Sequence, residues 1–96
     1  MSWYKVKLSA EEVASGKHQN LQDEFDILFL ANGGPQDAAM FSDRLSNSEL
    51  EVYFSPGARR LAKALIAKYS GVPCENPSGK KPALLVGHAN AAGKLF

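Results

Sequence analysis

The chain has 96 residues, 45% of them apolar and 22% charged, with a net charge of +1. That length holds one domain and not two, and the composition excludes a largely disordered chain. The near-neutral balance argues against a dedicated nucleic-acid binder. The longest apolar run, Ile27 to Ala31, is about a quarter of a membrane span.

No basic start followed by a long apolar stretch is visible at the N-terminus, so no signal peptide is expected. Cys74 is the single cysteine. It excludes an intrachain disulfide and fits a reducing, cytoplasmic location. The charge is unevenly spread. Residues 1–48 carry four basic and seven acidic side chains, a net of −3, and residues 49–96 carry seven basic and three acidic, a net of +4. Such a split permits self-association or an anionic partner at the basic end.

Trp3 to Leu8 alternates. Tyr4, Val6 and Leu8 share one face, and Trp3, Lys5 and Lys7 share the other, which predicts a half-buried strand. Ser9-Ala10-Glu11-Glu12 is a capping-box pattern and predicts a short helical turn, closed at Gly16. Leu21, Phe25, Leu28 and Phe29 recur at helical spacing. A helix is therefore expected from Asn20, its cap, to the stop signal Asn32-Gly33-Gly34-Pro35. The competing reading makes residues 26–30 a strand.

Ala38 to Arg44 and Glu49 to Ser55 read as two short strands around a polar turn, Leu45-Ser46-Asn47-Ser48. In the second, Leu50, Val52 and Phe54 share the inward face and Glu51 and Tyr53 the outward one. In the first, Ala39 and Phe41 are expected inward, with Met40, Ser42 and Arg44 outward. Ser55-Pro56 is a strong helix start. One helix is expected to Tyr69, burying Leu61, Leu65 and Ile66 beside Ala58 and Ala62. Residues 72–81, with two prolines and a glycine, read as an irregular loop. Residues 82–86 read as a last strand, and 88–96 as a tail able to fray.

The order strand, helix, strand, strand, helix, strand has one favoured closure. Each helix buries its stripe against the same sheet face. The expected fold is α+β, a ferredoxin-like β-α-β-β-α-β arrangement with a four-stranded antiparallel sheet and two helices on one face. The whole chain, 1–96, is expected to form this one domain.

Three features bear on chemistry. The run Gly87 to Leu95 resembles a phosphate-cradling loop but fails it. Five residues separate its glycines where four are needed, Leu95 replaces the magnesium-binding hydroxyl, and no helix follows. The start of the second main helix offers the Gly57 and Ala58 amides, the Ser55 hydroxyl, Arg59 and Arg60 to an anion. The sheet face away from the helices is expected to present Trp3, Lys5, Lys7, Met40, Arg44, Glu51 and Tyr53, together with Leu84 and Val86. Aromatic, Met and Arg side chains in that density mark an interaction surface, or a face that the tail covers through Leu95 and Phe96.

Catalysis has little support. His18, His88 and Cys74 make a nucleophile-base pair only if the fold gathers them, and their spacing matches no metal-site pattern. No cofactor is implied. The sequence therefore favours a non-enzymatic binding module that uses its open sheet face for a protein partner or a homodimer. The alternative is a single-stranded nucleic-acid or anion binder, with bases stacked on Trp3 and Tyr53 beside Lys5, Lys7 and Arg44. Leu50-Glu51-Val52-Tyr53-Phe54 lacks the glycine-aromatic signature of RNA-recognition domains.

Overall fold

The computed structural model describes residues 2–77. Over them the chain forms β1 (Trp3–Leu8), α1 (Ala10–Ala14), α2 (Lys17–Ala31), β2 (Met40–Arg44), β3 (Leu50–Phe54), α3 (Pro56–Leu61), α4 (Lys63–Lys68) and β4 (Val72–Cys74). The strands make one antiparallel sheet in the order β2-β3-β1-β4. The expected strand at 82–86, with Leu84 and Val86, lies outside the described residues, as do His88 and the glycine-rich run 87–95.

Alternation in β1 works as expected: Val6 and Leu8 are buried among helix side chains. The capping box forms in full, with the Glu12 amide donating to Ser9 Oγ and the Ser9 amide to Glu12 Oε1. Gly16, at φ +91°, then turns the chain directly into α2. That helix begins at Lys17, not at Asn20. The αL residue needed to redirect the chain is the glycine, so Asn20 falls inside the second helix instead of capping it. Leu21, Phe25 and Phe29 are buried, as their spacing requires. At the far end the Gly34 amide donates to Phe29 O and the Gly33 amide to Leu30 O. This doubly bonded stop uses glycines at φ +82° and +62°.

The predicted 55–69 helix is two helices, α3 and α4, parted at Ala62 (φ −120°, ψ 28°). Nothing in the residues around Ala62 is a helix breaker. Ala58, Ala62, Leu65 and Ile66 still face the core. The end of α4 repeats the α2 stop, with Gly71 bonded to Ile66 O and Ser70 to Ala67 O. Here the left-handed position, φ +61°, is held by Ser70. A Cβ on Gly71 would run into Ile66, so the glycine serves close approach. The chain then enters β4, which pairs with β1 at Trp3–Lys5. The reading of residues 72–74 as irregular loop is thus corrected. Pro73 is compatible with an edge strand, where its missing N–H points away from the ladder.

The largest correction concerns β2. The turn after it is Ser46-Asn47-Ser48, three residues and not four, closed by the Leu45 amide on Glu49 O, with Ser48 at φ +71°. That is the three-residue hairpin form, a turn followed by a left-handed residue. It pairs Arg44 with Leu50 and Met40 with Phe54. A shift of one residue turns every side chain to the other face. Met40, expected outward, is fully buried in the core, and Phe41, expected inward, lies on the opposite face.

All the helices cover one face of the sheet. The core joins Val6, Leu8, Met40, Leu50, Val52 and Phe54 of the strands to Leu21, Phe25, Phe29, Ala58, Leu65 and Ile66 of the helices. Phe25 packs on Phe29 and Phe54 at ring-centroid distances of 6.0 and 5.8 Å.

Candidate functional site

The sheet face away from the helices is built in rows. Phe41, Tyr53, Lys5 and Val72 follow one another across β2, β3, β1 and β4, and Asp43, Glu51 and Lys7 form the next row. Trp3 stands opposite Cys74. Three rings meet here. Trp3 and Phe41 are 5.8 Å apart edge to face, and Phe41 and Tyr53 are 5.3 Å apart. Such aromatic pairs contribute about 0.5–1.5 kcal/mol each beyond area burial. Phe41 and Tyr53 are only 4% and 3% exposed. Trp3 and Lys5 are half-buried, and Lys7 and Val72 are exposed.

Beside the rings lies a cleft of about 390 Å³ lined by Lys5, Glu51, Tyr53, Cys74, Glu75, Asn76 and Pro77. Its floor is a polar network. The Tyr53 hydroxyl donates to Glu51 Oε1 at 2.7 Å, and Lys5 Nζ donates to Glu51 Oε2 at 3.3 Å. Glu51 is thus fixed from two sides. Burial pushes the Cys74 thiol pKa up, only partly offset by Lys5, so the thiol is a poor nucleophile near neutrality.

Of the residues expected on this face, Trp3, Lys5, Lys7, Glu51 and Tyr53 are there. Met40 and Arg44 are not, because the β2 register sends them to the helix side. Arg44 instead lies near His18, whose Nε2 is 2.8 Å from Ser42 Oγ. Burial first, and the Arg44 charge second, hold the His18 pKa below its ordinary value. His18 and Cys74 are therefore on opposite sides of the sheet, and no nucleophile-base pair forms between them. Lys5 and Lys7 are matched by Glu51 and Glu49 at 3.3 and 3.5 Å. The basic trio of Lys5, Lys7 and Arg44 is not assembled. Among the described residues, no three His, Cys, Asp or Glu side chains gather in a group able to hold a metal.

The proposed anion position at the start of α3 is closed from within the chain. Ser55 Oγ accepts from the Ala58 amide at 3.1 Å and the Ala39 amide at 2.9 Å, and donates to Asp37 O at 2.8 Å. Arg60 is ion-paired with the Asp37 carboxylate, and Asp37 also packs over the Gly57 backbone. Arg59 stacks on Tyr4, 5.3 Å from its ring centroid. Ser55, Gly57 and Arg60 thus anchor the loop before β2, while Arg59 packs on β1.

Sequence reasoning missed Phe41, Val72 and Cys74 as members of the open face. The signal for Phe41 was the hairpin itself, since strand partners share a face and the turn length sets the pairing. No helix among the described residues is long and apolar enough to cross a membrane. No protein-family model, curated protein or solved structure matches the chain.

Proposed function

We propose that this chain is a small, non-enzymatic binding module that engages a protein partner on the sheet face turned away from its helices. The observation that carries the reading is the ring cluster of Trp3, Phe41 and Tyr53 beside the Lys5–Glu51–Tyr53 cleft. A two-layer domain closes its core on the helix side and has no need of three aromatic rings on the other. The buried Phe41, packed on Tyr53, braces the half-buried Trp3, so a partner that meets Trp3 gains contact area at little cost in side-chain ordering. Glu51 and Lys5 supply oriented polar groups at the edge of that platform.

The strand order, with helices following β1 and β3, supports the ferredoxin-like arrangement as the scaffold. The lone Cys74 supports a reducing compartment. Nucleic acid is disfavoured because Arg44 faces the helices and both lysines of the face have carboxylate partners.

The test selects peptides from a displayed random library on the folded protein and maps them by amide chemical shifts. The reading predicts shifts at Trp3, Lys5, Glu51, Tyr53 and Cys74. It also predicts loss of binding in Trp3→Ala and Glu51→Gln variants that keep a cooperative thermal transition. Failure to select any binder, or shifts confined to α2 and α4, would overturn it.

A further inference from the structure

The β2 edge of the sheet carries a second, unrelated feature on its helix side. Ser42 Oγ lies 2.8 Å from His18 Nε2, and both residues are partly exposed. Each stands on a fixed element. Gly16 sets the start of α2 just before His18, and β2 is laddered to β3 around Ser42.

β2 is the outermost strand, and its pairing decides which backbone groups it leaves over. The Leu45 amide bonds to Glu49 O, and the Ser55 amide bonds to Ala39 O. The register between those two points is one to one, and bonded and non-bonded pairs alternate along an antiparallel ladder. Phe41 and Asp43 therefore turn their N–H and C=O groups to β3, and Ser42 turns its own off the edge. Among the described residues the Ser42 N–H has no backbone partner.

Three groups thus meet at one residue. The hydroxyl is the nucleophile. Burial first, and the Arg44 charge second, hold the His18 pKa below its ordinary value, so the ring is neutral near pH 7. With its proton on Nδ1, Nε2 accepts from the Ser42 hydroxyl, the arrangement of a base beside its nucleophile. The Ser42 N–H is the donor that an oxyanion formed at Oγ needs; in serine acyl transfer the nucleophile's own N–H is a recurring part of the oxyanion hole. Arg44 supplies a charge for binding. It follows Ser42 by two positions on the same face and is exposed. Among the described residues it has no carboxylate partner.

We propose that Ser42 is an acyl-acceptor site: with His18 as base and its own N–H as oxyanion donor, it takes the acyl group of activated esters or thioesters whose acyl chain carries a carboxylate for Arg44. Ser42 Oγ attacks the carbonyl carbon as its proton passes to His18 Nε2. The bond from that carbon to the leaving oxygen or sulfur then breaks, and the leaving atom takes the proton from His18. The products are a Ser42 ester and a free alcohol or thiol, with no other reactant. The step modifies the chain once and is not a turnover. It lies across the sheet from the Trp3–Phe41–Tyr53 cluster, so it stands apart from the proposed partner surface.

The test treats the full chain with the 4-nitrophenyl monoester of terephthalic acid, a rigid acyl donor with a carboxylate, and with its neutral counterpart, 4-nitrophenyl benzoate. Nitrophenolate release gives the rate, and peptide mass mapping gives the site. The ester is expected on Ser42 and not on the exposed Ser15 or Ser46, a comparison that needs no variant. Urea-unfolded chain should lose that selectivity. His18→Gln, with its thermal transition retained, should slow Ser42 labelling by about a hundredfold. Arg44→Gln should remove a preference of about tenfold for the carboxylated donor and leave the neutral donor unaffected. Acylation confined to lysines and the N-terminal amine overturns the proposal. So does Ser42 labelling that is equal in unfolded chain or unchanged in His18→Gln.

Discussion

Replacing Gly57 by alanine separates two opposed effects whose sum has a definite sign. Gly57 is the second residue of α3. At an open helix position, alanine is favoured over glycine by up to about 1 kcal/mol. In this structure the position is not open: a Cβ there would overlap the Asp37 carbonyl and carboxylate carbons. The neighbour is partly backbone, held by the Ser55 hydroxyl on Asp37 O at 2.8 Å, so it cannot swing aside as a side-chain tip can. Overpacking of this kind costs about 1–3 kcal/mol, which exceeds the propensity gain. Shifting the 37 loop also strains the Ala39 amide bond to Ser55 Oγ, at the entry to β2. Gly57→Ala is therefore expected to lower the urea midpoint, with a net loss of up to about 2 kcal/mol and an unchanged m value. A variant more stable than the parent by about 0.5 kcal/mol or more would refute the reasoning. It would mean that the start of α3 is open and that Asp37 does not close it.

Three further outcomes are expected. Met40→Ala should cost about 2–5 kcal/mol in urea unfolding, as for a buried side chain, where an outward Met40 would give a change within about 0.5 kcal/mol. Ser48 and Ser70 sit at positive φ, so Ser48→Gly and Ser70→Gly should each stabilise by up to about 1 kcal/mol in thermal unfolding, the relief of the left-handed strain less the glycine entropy cost. The His18 pKa is lower folded than unfolded, so the unfolded chain takes up the proton first. Stability should be at its full value above the unfolded pKa of about 6.5 and fall as pH drops below it, until the folded pKa is passed. His18→Gln should flatten that slope in unfolding curves measured between pH 7 and 5.

The sequence made β1, β3 and most of the core legible, though not β4, because β1 and β3 carry all their large aliphatic side chains on one side. Val6, Leu8, Leu50 and Val52 admit only one inward face. β2 offers Met40 to one face and Phe41 to the other, so alternation alone does not choose. The choice belongs to the turn, and it hangs on whether Leu45 joins the loop or the ladder. That in turn depends on Ser48 accepting a left-handed backbone, which serine does not announce as glycine would. Met40 and Arg44 left the candidate site for this reason, and Phe41 entered it.

The start of α2 was obscured for a related reason. Gly16 looked like an ending and acts as a hinge shared by two helices. The anion position at Ser55 was correct as to capping, since Ser55 does cap α3. It was incomplete because the residue that fills it, Asp37, lies 18 positions upstream. Long-range closure of that kind has no local signature. Ile27 and Leu30 were legible as part of a helical segment, and their exposure became visible only once Leu21, Phe25 and Phe29 took the inward stripe.

The ring cluster rests on the β2 register, and nuclear Overhauser contacts read that register directly. The Trp3 indole and the Phe41 ring, 5.8 Å apart between centroids, should show cross-peaks, as should Phe41 and Tyr53, while the Met40 methyl should contact only core residues. Cross-peaks from the Trp3 indole to the Met40 methyl, with none to Phe41, would place β2 one residue away and dissolve the proposed binding platform.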